Sequence, residues 1–142
     1  MIVTQPKELI GAFVNMQQGL PHDNPWGHFT ALGLVRSDRL VAGIIYNNAA
    51  TDNICIHAGA VANSLWATPD ALYAMFDYPF NQLGMRRVTA PIRGKNLKTQ
   101  RLVKRMGFVY EGSLRQFYPD DDLHLYGLLR EECQYLNMRK AA

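Results

Sequence analysis

One histidine in this sequence stands where it could carry out acid–base chemistry. His57 alternates with Ile54 and Ile56 along a predicted strand, so it shares one face with Cys55 while the isoleucines occupy the other. An imidazole titrates near neutral pH and can take a proton from a reacting group. His57 is therefore the candidate general base, and a hydrogen-bonded, half-buried histidine is the alternative interpretation.

A second set of polar residues, His22, Asp23 and His28, falls in or beside a loop rich in glycine, proline and asparagine. Imidazole and carboxylate groups can bind metal ions, but this spacing is not typical of a metal site. The two cysteines, Cys55 and Cys133, show neither metal-ligand spacing nor a disulfide framework. We predict no metal site, and His22 and Asp23 could equally bind a cationic amine or face water.

The basic residues are concentrated in one segment. The whole chain has a net charge of +3, but residues 86–105 contain eight basic side chains and no acidic one. The remaining 122 residues carry seven basic and twelve acidic side chains, a net charge of −5. An anionic partner is expected near this segment, and a solvated helix face is the alternative. Nucleic acid is not expected, because no aromatic residue in the segment could stack on a base. The eight residues are Arg86, Arg87, Arg93, Lys95, Lys98, Arg101, Lys104 and Arg105.

Hydrophobic periodicity and breaker residues predict the elements that position these groups. A helix following Pro6, a helix starting at Thr68 and kinked at Pro79, and a helix over Asn96–Met106 that stops at Gly107 are indicated by apolar stripes and caps. The order is β-α-β-β-β-α-β-α-β-β, which indicates an α+β, or mixed α/β, class. The predicted strands are Met1–Thr4, Phe29–Val35, Leu40–Tyr46, Asn53–Ala58, Arg87–Ile92, Phe108–Arg115 and Leu123–Leu129.

Length and composition limit the class of protein. A chain of 142 residues that is 48% hydrophobic and 19% charged predicts a single domain over 1–142 with its own core. No apolar run is long enough to span a bilayer, and the N-terminus does not resemble a signal peptide. With no disulfide framework, we expect a cytoplasmic protein with no membrane partner.

The segment from 96 to 115, NLKTQRLVKRMGFVYEGSLR, combines a helix opened by asparagine, a Gly-Phe stop and Glu-Gly-x-x-Arg on the next strand. This combination resembles the GNAT superfamily of acyl-CoA-dependent N-acyltransferases. The resemblance is greatest to the branch of ribosomal-protein N-terminal acetyltransferases and their phage and bacterial relatives. It implies a splayed, mostly antiparallel seven-stranded sheet that opens between Asn53–Ala58 and Arg87–Ile92, with helices flanking it.

The resemblance also implies acetyl-CoA as co-substrate, with its pantetheine in the gap and its pyrophosphate at the start of the following helix. A helix N-terminus suits phosphate because it presents unpaired N–H donors. Side-chain donors stand here in place of the family's glycine pair, and Trp66, Pro69 and Asp70 also depart from that pattern. The residues expected to contact the cofactor are Asn63, Ser64, Thr68, Lys95, Asn96, Lys98 and Arg101.

The general acid is the largest departure from the family. The resemblance places a tyrosine seven residues after the helix-opening asparagine, where this chain has Val103. We take Tyr110 as the candidate proton donor to the leaving thiolate, with Tyr118 and Tyr126 as alternatives. Backbone N–H groups at a bulge in the strand Asn53–Ala58 could stabilise the oxyanion.

The sequence therefore predicts an N-acetyltransferase that moves an acetyl group from acetyl-CoA to a primary amine by direct transfer. The expected partners are acyl-CoA and an amine acceptor, either a small molecule or a protein N-terminus or lysine, and a homodimer is left open. The resemblance places the acceptor at the loop 19–29 and the last hairpin. The alternative is a GNAT-fold acyl-CoA-binding or protein-interaction module without efficient catalysis, which Val103 and the missing glycines favour.

Overall fold

The computed structural model describes residues 1–19 and 25–137 and has the predicted α+β architecture. Within these ranges there are three α-helices: α1 (Lys7–Gln17), α2 (Pro69–Asp77) and α3 (Leu97–Met106). A π-helical turn, Tyr78–Gln82, follows α2, and two short 3-10 turns close the described part of the chain. The strands are β1 (Ile2–Val3), β2 (Phe29–Arg36), β3 (Arg39–Asn47), β4 (Asn53–Ala60), β5 (Arg87–Arg93), β6 (Val109–Tyr118) and β7 (Asp121–Leu129).

All seven strands form one sheet in the order β1-β2-β3-β4-β5-β7-β6. Every neighbouring pair is antiparallel except β4 and β5, which run parallel. This confirms the predicted mostly antiparallel seven-stranded sheet with flanking helices. The crossover from β4 to β5 contains α2, as a parallel connection requires.

Each face of the sheet has its own apolar core. On one face α1 packs against β2 and β3 through Ile10, Val14 and Ile45, which are almost completely buried. This packing is close because β3 has glycine at position 43, where an added Cβ would lie 2.7 Å from a methyl carbon of Val14. The larger cluster, on the other face, is covered by α2 and α3 and includes Ile54 and Ile56.

The helix ends confirm the predicted caps. The Thr68 hydroxyl accepts a hydrogen bond from the Ala71 N–H at 3.2 Å, with proline at the first helical position. After Asp77, the π-helical turn replaces the predicted kink at Pro79, because proline has no N–H to continue the α-helical ladder. Gly107 ends α3 with a φ of 105°, a left-handed conformation that glycine adopts readily. No helix in the described ranges 1–19 and 25–137 is long and apolar enough to cross a membrane.

Candidate active site: a cleft between two diverging strands

The sheet opens between β4 and β5. The two strands pair with each other over only three positions, Asn53–Cys55 with Arg87–Thr89, and separate beyond them. The predicted opening of the sheet at this place is confirmed. Because the two strands are parallel and joined only at their N-terminal ends, the gap widens toward their C-terminal ends.

The β4 edge of this gap presents backbone groups. The Val61 N–H donates to the Val41 carbonyl on β3, and backbone direction alternates along an antiparallel ladder. The N–H and C=O groups of Ile56 and Ala58 therefore point away from β3 and toward the gap. The Ala58 carbonyl accepts a hydrogen bond of 2.9 Å from Gln18 Nε2. The six described β3–β4 pairs show no register shift, so the bulge predicted in this strand is not found and a regular edge takes its place.

The β5 edge of the gap contains a proline. The Gly94 N–H donates to Asp122 on β7, so by the same alternation the nitrogen of Pro91 faces away from β7 and into the gap. Proline has no N–H to donate and is tolerated in a strand only where no ladder bond is required. Pro91 is thus a local sequence signal that β5 has no hydrogen-bonded neighbour on its β4 side at this position.

A cavity of about 390 Å³ fills the gap. Of the residues predicted as catalytic or cofactor-binding, His57 and Asn96 line it. Val103, which stands where the resemblance implies a tyrosine, lines it as well. Its walls are mostly apolar, and its polar lining residues include Asn47, His57 and Asn96. The remaining lining residues include Trp26, Asn47, Met75, Ile92, Arg93, Thr99, Met106, Phe108, Phe117 and Tyr118.

His57 is held in one orientation at the cleft. The Asn47 amide nitrogen donates to the Trp26 carbonyl at 3.1 Å, so its oxygen faces His57 and accepts from Nε2 at 2.8 Å. The imidazole also lies against the Trp26 ring, with centroids 4.9 Å apart. Burial lowers the pKa of His57 to about 4, because a charged ring would be desolvated here. The ring is therefore neutral at physiological pH, with its proton on Nε2.

Asn96 starts α3 at the other side of the cleft. Its side-chain oxygen accepts from the Thr99 N–H at 3.1 Å, which is the predicted N-cap. One turn further, the buried side chain of Gln100 donates to the carbonyls of Arg93 and Gly94 at 3.0 and 2.8 Å. Its oxygen accepts from the Tyr126 hydroxyl and from His124 Nδ1, so Gln100 ties α3 to two strands beside the cleft.

The basic residues of the segment 86–105 differ in their surroundings. Arg87 pairs with Glu111, and Lys95 lies 3.4 Å from Asp120 while its backbone N–H donates to Asp121. Both of these basic residues are thus partly neutralised by nearby acids. Lys98 and Arg101, also predicted to contact the cofactor, are exposed on α3 and do not line the cavity.

The loop before α2 differs from a glycine-rich phosphate cradle. The Arg36 guanidinium donates to the backbone carbonyls of Ser64 and Leu65, and the Ser64 hydroxyl is buried. The Thr68 hydroxyl serves as the helix cap, and Asn63 has a φ of 61°. The three predicted donors of this loop, Asn63, Ser64 and Thr68, are outside the lining of the cavity.

The two candidate tyrosines of the last hairpin differ in position. Tyr110 lies on β6 outside the cavity lining, with its hydroxyl 2.5 Å from Ser113 Oγ and its ring beside Tyr126. Tyr118, by contrast, lines the cavity, and the Arg93 guanidinium lies over its ring at 3.8 Å. Both tyrosines are on β6, but the structure brings only Tyr118 of the two to the cleft with His57.

Three residues were considered as metal ligands in the sequence, and the structure describes only one of them. His22 and Asp23 lie outside the described residues, whereas His28 is described. Within the described ranges, the structure brings no three histidine, cysteine, aspartate or glutamate side chains together in an arrangement that could hold a metal ion.

A seven-stranded sheet opened between two parallel central strands, with a cleft bounded by the start of the following helix, is the fold of the GNAT N-acetyltransferases. The chain has that fold, and the predicted resemblance is confirmed at this level. It is similar to a variant of the spermidine N-acetyltransferase from Vibrio cholerae, with a TM-score of 0.75 and 13% identity over 96% of this chain and 98% of that one. It is also similar to a ribosomal-protein-S5-alanine acetyltransferase from Vibrio fischeri, with a TM-score of 0.71 and 12% identity over 94% of each chain.

A putative acetyltransferase from T. thermophilus gives a TM-score of 0.70 and 16% identity over 99% of this chain and 89% of that one. In sequence, no family model and no curated protein matches the chain. The similarity is therefore one of fold, and the chemistry of the cleft has to be argued from its own residues.

The low pKa of His57 predicts how the stability of the folded protein depends on pH, whatever the protein's function. Because the folded-state pKa of about 4 lies below the ordinary value of 6.5, the unfolded chain binds more protons between these values. Wild-type stability should fall as pH drops from 6.5 toward 4, and His57→Gln should remove part of that fall while keeping a donor to Asn47. Urea midpoints of both proteins at pH 7 and pH 4.5 measure this. An equal pH-dependent loss in the two proteins would contradict a buried neutral His57.

Proposed function

We propose that this protein is an acyl-CoA-dependent N-acyltransferase that transfers an acetyl group from acetyl-CoA to a primary amine. The observation that carries the proposal is the open backbone edge of β4, with Ile56 and Ala58 facing a mostly apolar cavity between parallel strands. An extended chain with amide groups can add to such an edge as a strand would. The pantetheine arm of coenzyme A is a molecule of this kind, and the fold is one in which solved acetyltransferases occur.

The proposed reaction takes place in a ternary complex. The neutral amine nitrogen attacks the thioester carbonyl carbon, a C–N bond forms, and the C–S bond then breaks to release coenzyme A as a thiolate. Backbone N–H groups on the open edge of β4 would stabilise the developing oxyanion, because they are fixed donors in a partly desolvated site. This role falls to Ile56 and Ala58 now that no bulge is present.

His57 is the proposed proton acceptor. Its pKa of about 4 makes it a weak base, but the ring is unprotonated at neutral pH. The amine nitrogen becomes positively charged as it adds to the carbonyl and is then far more acidic than a free ammonium ion, so a weak base suffices. The hydrogen bond to Asn47 fixes the Nε2–H tautomer and so makes Nδ1 the nitrogen that can accept. Asn47 is accordingly a positioning residue.

Tyr118 is the proposed proton donor to the leaving thiolate, in preference to Tyr110. Tyr118 lines the cavity, whereas the hydroxyl of Tyr110 is engaged with Ser113 on the outer strand. For the cofactor phosphates, Lys98 and Arg101 are the proposed contacts at the exposed face of α3, with Asn96 beside the pantetheine. Asn63, Ser64, Thr68 and Lys95 are proposed only as secondary contacts. None of the four lines the cavity, the Thr68 hydroxyl caps α2, the Ser64 hydroxyl is buried, and Lys95 has an acidic neighbour.

A binding module without efficient catalysis is the second candidate function. The specific observation in its favour is Val103, which lines the cleft at the position where the resemblance implies a tyrosine. Such a module would bind acetyl-CoA by the same open edge but would leave the transfer step uncatalysed.

Acetyl-CoA added to the full chain tests the proposal. Binding should raise the melting temperature, because a ligand that binds only the folded state stabilises it by mass action. Release of free coenzyme A thiol should then depend on an added amine, with spermidine and a peptide with N-terminal alanine as the first acceptors. Stabilisation without thiol release would favour the binding module. No stabilisation at millimolar acetyl-CoA would overturn both candidate functions.

A further inference from the structure

The proposed donor site suits a pantetheine arm better than it suits a nucleotide. The arm has the open edge of β4 and a cavity of about 390 Å³ between β4 and β5. The pyrophosphate of coenzyme A is expected at the start of α2. There the first and third helical positions offer no N–H to a phosphate, because Pro69 has none and that of Ala71 is bonded to the Thr68 hydroxyl.

The loop before α2 has a further feature that does not suit a phosphate. The Arg36 guanidinium binds the backbone carbonyls of Ser64 and Leu65, so this cation of the loop is already engaged. The ring of Trp66, next along the chain, is buried in the larger apolar cluster. A glycine-rich cradle would instead bring backbone N–H groups close to the phosphate. The structure therefore accommodates the arm of the donor without a matching cradle for its pyrophosphate.

Three basic side chains form a stripe along α3 beside the same cleft. Lys98, Arg101 and Arg105 are exposed, and their spacings of three and four residues place them on one side of the helix. Leu102 lines the cavity and lies four residues after Lys98 and three before Arg105, so the stripe borders the cleft. Over these residues the helix rises about 10 Å. Lys98, Arg101 and Arg105 are called the basic stripe below.

The positive charges of the basic stripe face solvent. Within the described residues, none of its three side chains forms an ion pair or a hydrogen bond. The acids of the last hairpin have other partners: Asp120 lies near Arg93 and Lys95, and Asp121 accepts from the Lys95 N–H. Three positive charges are thus presented together at the side of the cleft.

We propose that the acyl donor of this protein is carried by a small acidic protein on a phosphopantetheine arm, and that this carrier docks on the basic stripe and passes its arm into the cleft. The inference rests on the proposed function and names the class of its donor. Such a carrier presents the same arm as coenzyme A, with one phosphodiester in place of the nucleotide, so it needs no pyrophosphate cradle. Its acidic surface complements the stripe, and complementary charges guide encounters of this kind.

The transfer step balances as it does with acetyl-CoA. The neutral amine attacks the thioester carbonyl of the arm, a C–N bond forms, and the C–S bond breaks. The amine nitrogen loses one proton, and the thiolate of the arm takes one up. The products are the acetylated amine and the carrier with a free thiol, so no further reactant is required.

Titration calorimetry on the full chain compares coenzyme A with an acyl carrier protein that bears its phosphopantetheine arm. The carrier should bind about tenfold more tightly than coenzyme A, and a carrier without the arm should lose about that factor, because it cannot fill the cleft. Arg105→Glu should weaken binding of the carrier about fivefold, since a reversed charge repels the acidic surface. The affinity for coenzyme A should change by less than about twofold, because an exposed charge beyond its phosphates is screened.

The matched control is Lys104→Glu, which reverses the same charge on the same helix. Lys104 is exposed outside the basic stripe, with its ammonium group 5.9 Å from the centre of the Tyr126 ring on β7, so carrier binding should change little. Equal effects of the two substitutions would overturn the proposal, because they would indicate unspecific attraction. A carrier that binds no more tightly than coenzyme A would also overturn it, as would a short single-stranded RNA that binds as tightly as the carrier.

Failure of this inference and failure of the proposed function give different results. Stabilisation by acetyl-CoA without binding of the carrier would overturn the inference alone. Binding of the carrier that depends on its arm and on Arg105, without transfer of its acetyl group to an added amine, would favour the binding module and keep the carrier as its ligand. If neither acetyl-CoA nor the carrier binds, both the inference and the proposed function are wrong.

Discussion

Replacing Ala58 by tryptophan should abolish stabilisation of the protein by acetyl-CoA. The Ala58 backbone faces the gap and its residue lines the cavity, so an indole there would occupy the path of the pantetheine arm. At a ligand concentration a hundred times the dissociation constant, the wild-type protein should gain about 2.7 kcal/mol. For a chain of this length that gain corresponds to about 5–10 °C in melting temperature. The variant should show no shift above its own ligand-free value.

The matched control is Ala60→Trp. Ala60 is on the same strand and the same face, two residues further on, and both alanines are partly buried against the same apolar cluster. Only Ala58 lines the cavity. Both variants should lose some stability through overpacking, but Ala60→Trp should keep its response to acetyl-CoA. If Ala58→Trp responds as strongly as Ala60→Trp, acetyl-CoA does not bind between β4 and β5.

The order of elements could be predicted from the sequence because its signals are local. Alternation of Ile54 and Ile56 with His57 defines the two faces of β4, and Asn96 and Gly107 define the ends of α3. The opening of the sheet was implied only by the family resemblance. It also has a local signal that sequence reasoning missed: Pro91 inside a strand requires an edge with no ladder bond.

The chemistry of the cleft depends on contacts between distant residues and was less predictable. The orientation of His57 comes from Asn47 and Trp26, which precede it by 10 and 31 positions, and its low pKa comes from burial. The acidic neighbour of Lys95 is Asp120, on the last hairpin. Periodicity carries no information about such pairs, so a run of basic residues could not be divided into exposed and neutralised ones.

The sequence could not show which of Tyr110 and Tyr118 lines the cleft, for a different reason. Register shifts interrupt the β6–β7 pairing between Tyr110 and Gly112 and again between Leu114 and Tyr118. The first irregularity adds one residue on β6 and so moves the side chains that follow it to the other face of the sheet, whereas the second adds two residues and does not. A simple alternation counted along β6 therefore cannot decide which tyrosine reaches the cleft.

Gln100→Met should cause a large loss of stability, although it changes only one side chain of α3. Methionine keeps the length of the side chain but leaves the carbonyls of Arg93 and Gly94 and two side-chain donors, Tyr126 and His124, without their partner. A lost intramolecular hydrogen bond costs about 1 kcal/mol, and more when the remaining group stays buried, so a loss of about 3–4 kcal/mol is expected. Urea unfolding at pH 7 with unchanged m-value measures it. Lys98→Met, on the exposed face of the same helix, should change stability by less than about 0.5 kcal/mol. A similar small effect at both positions would show that α3 is held by its apolar face alone, and that the start of the helix beside the cleft does not depend on Gln100.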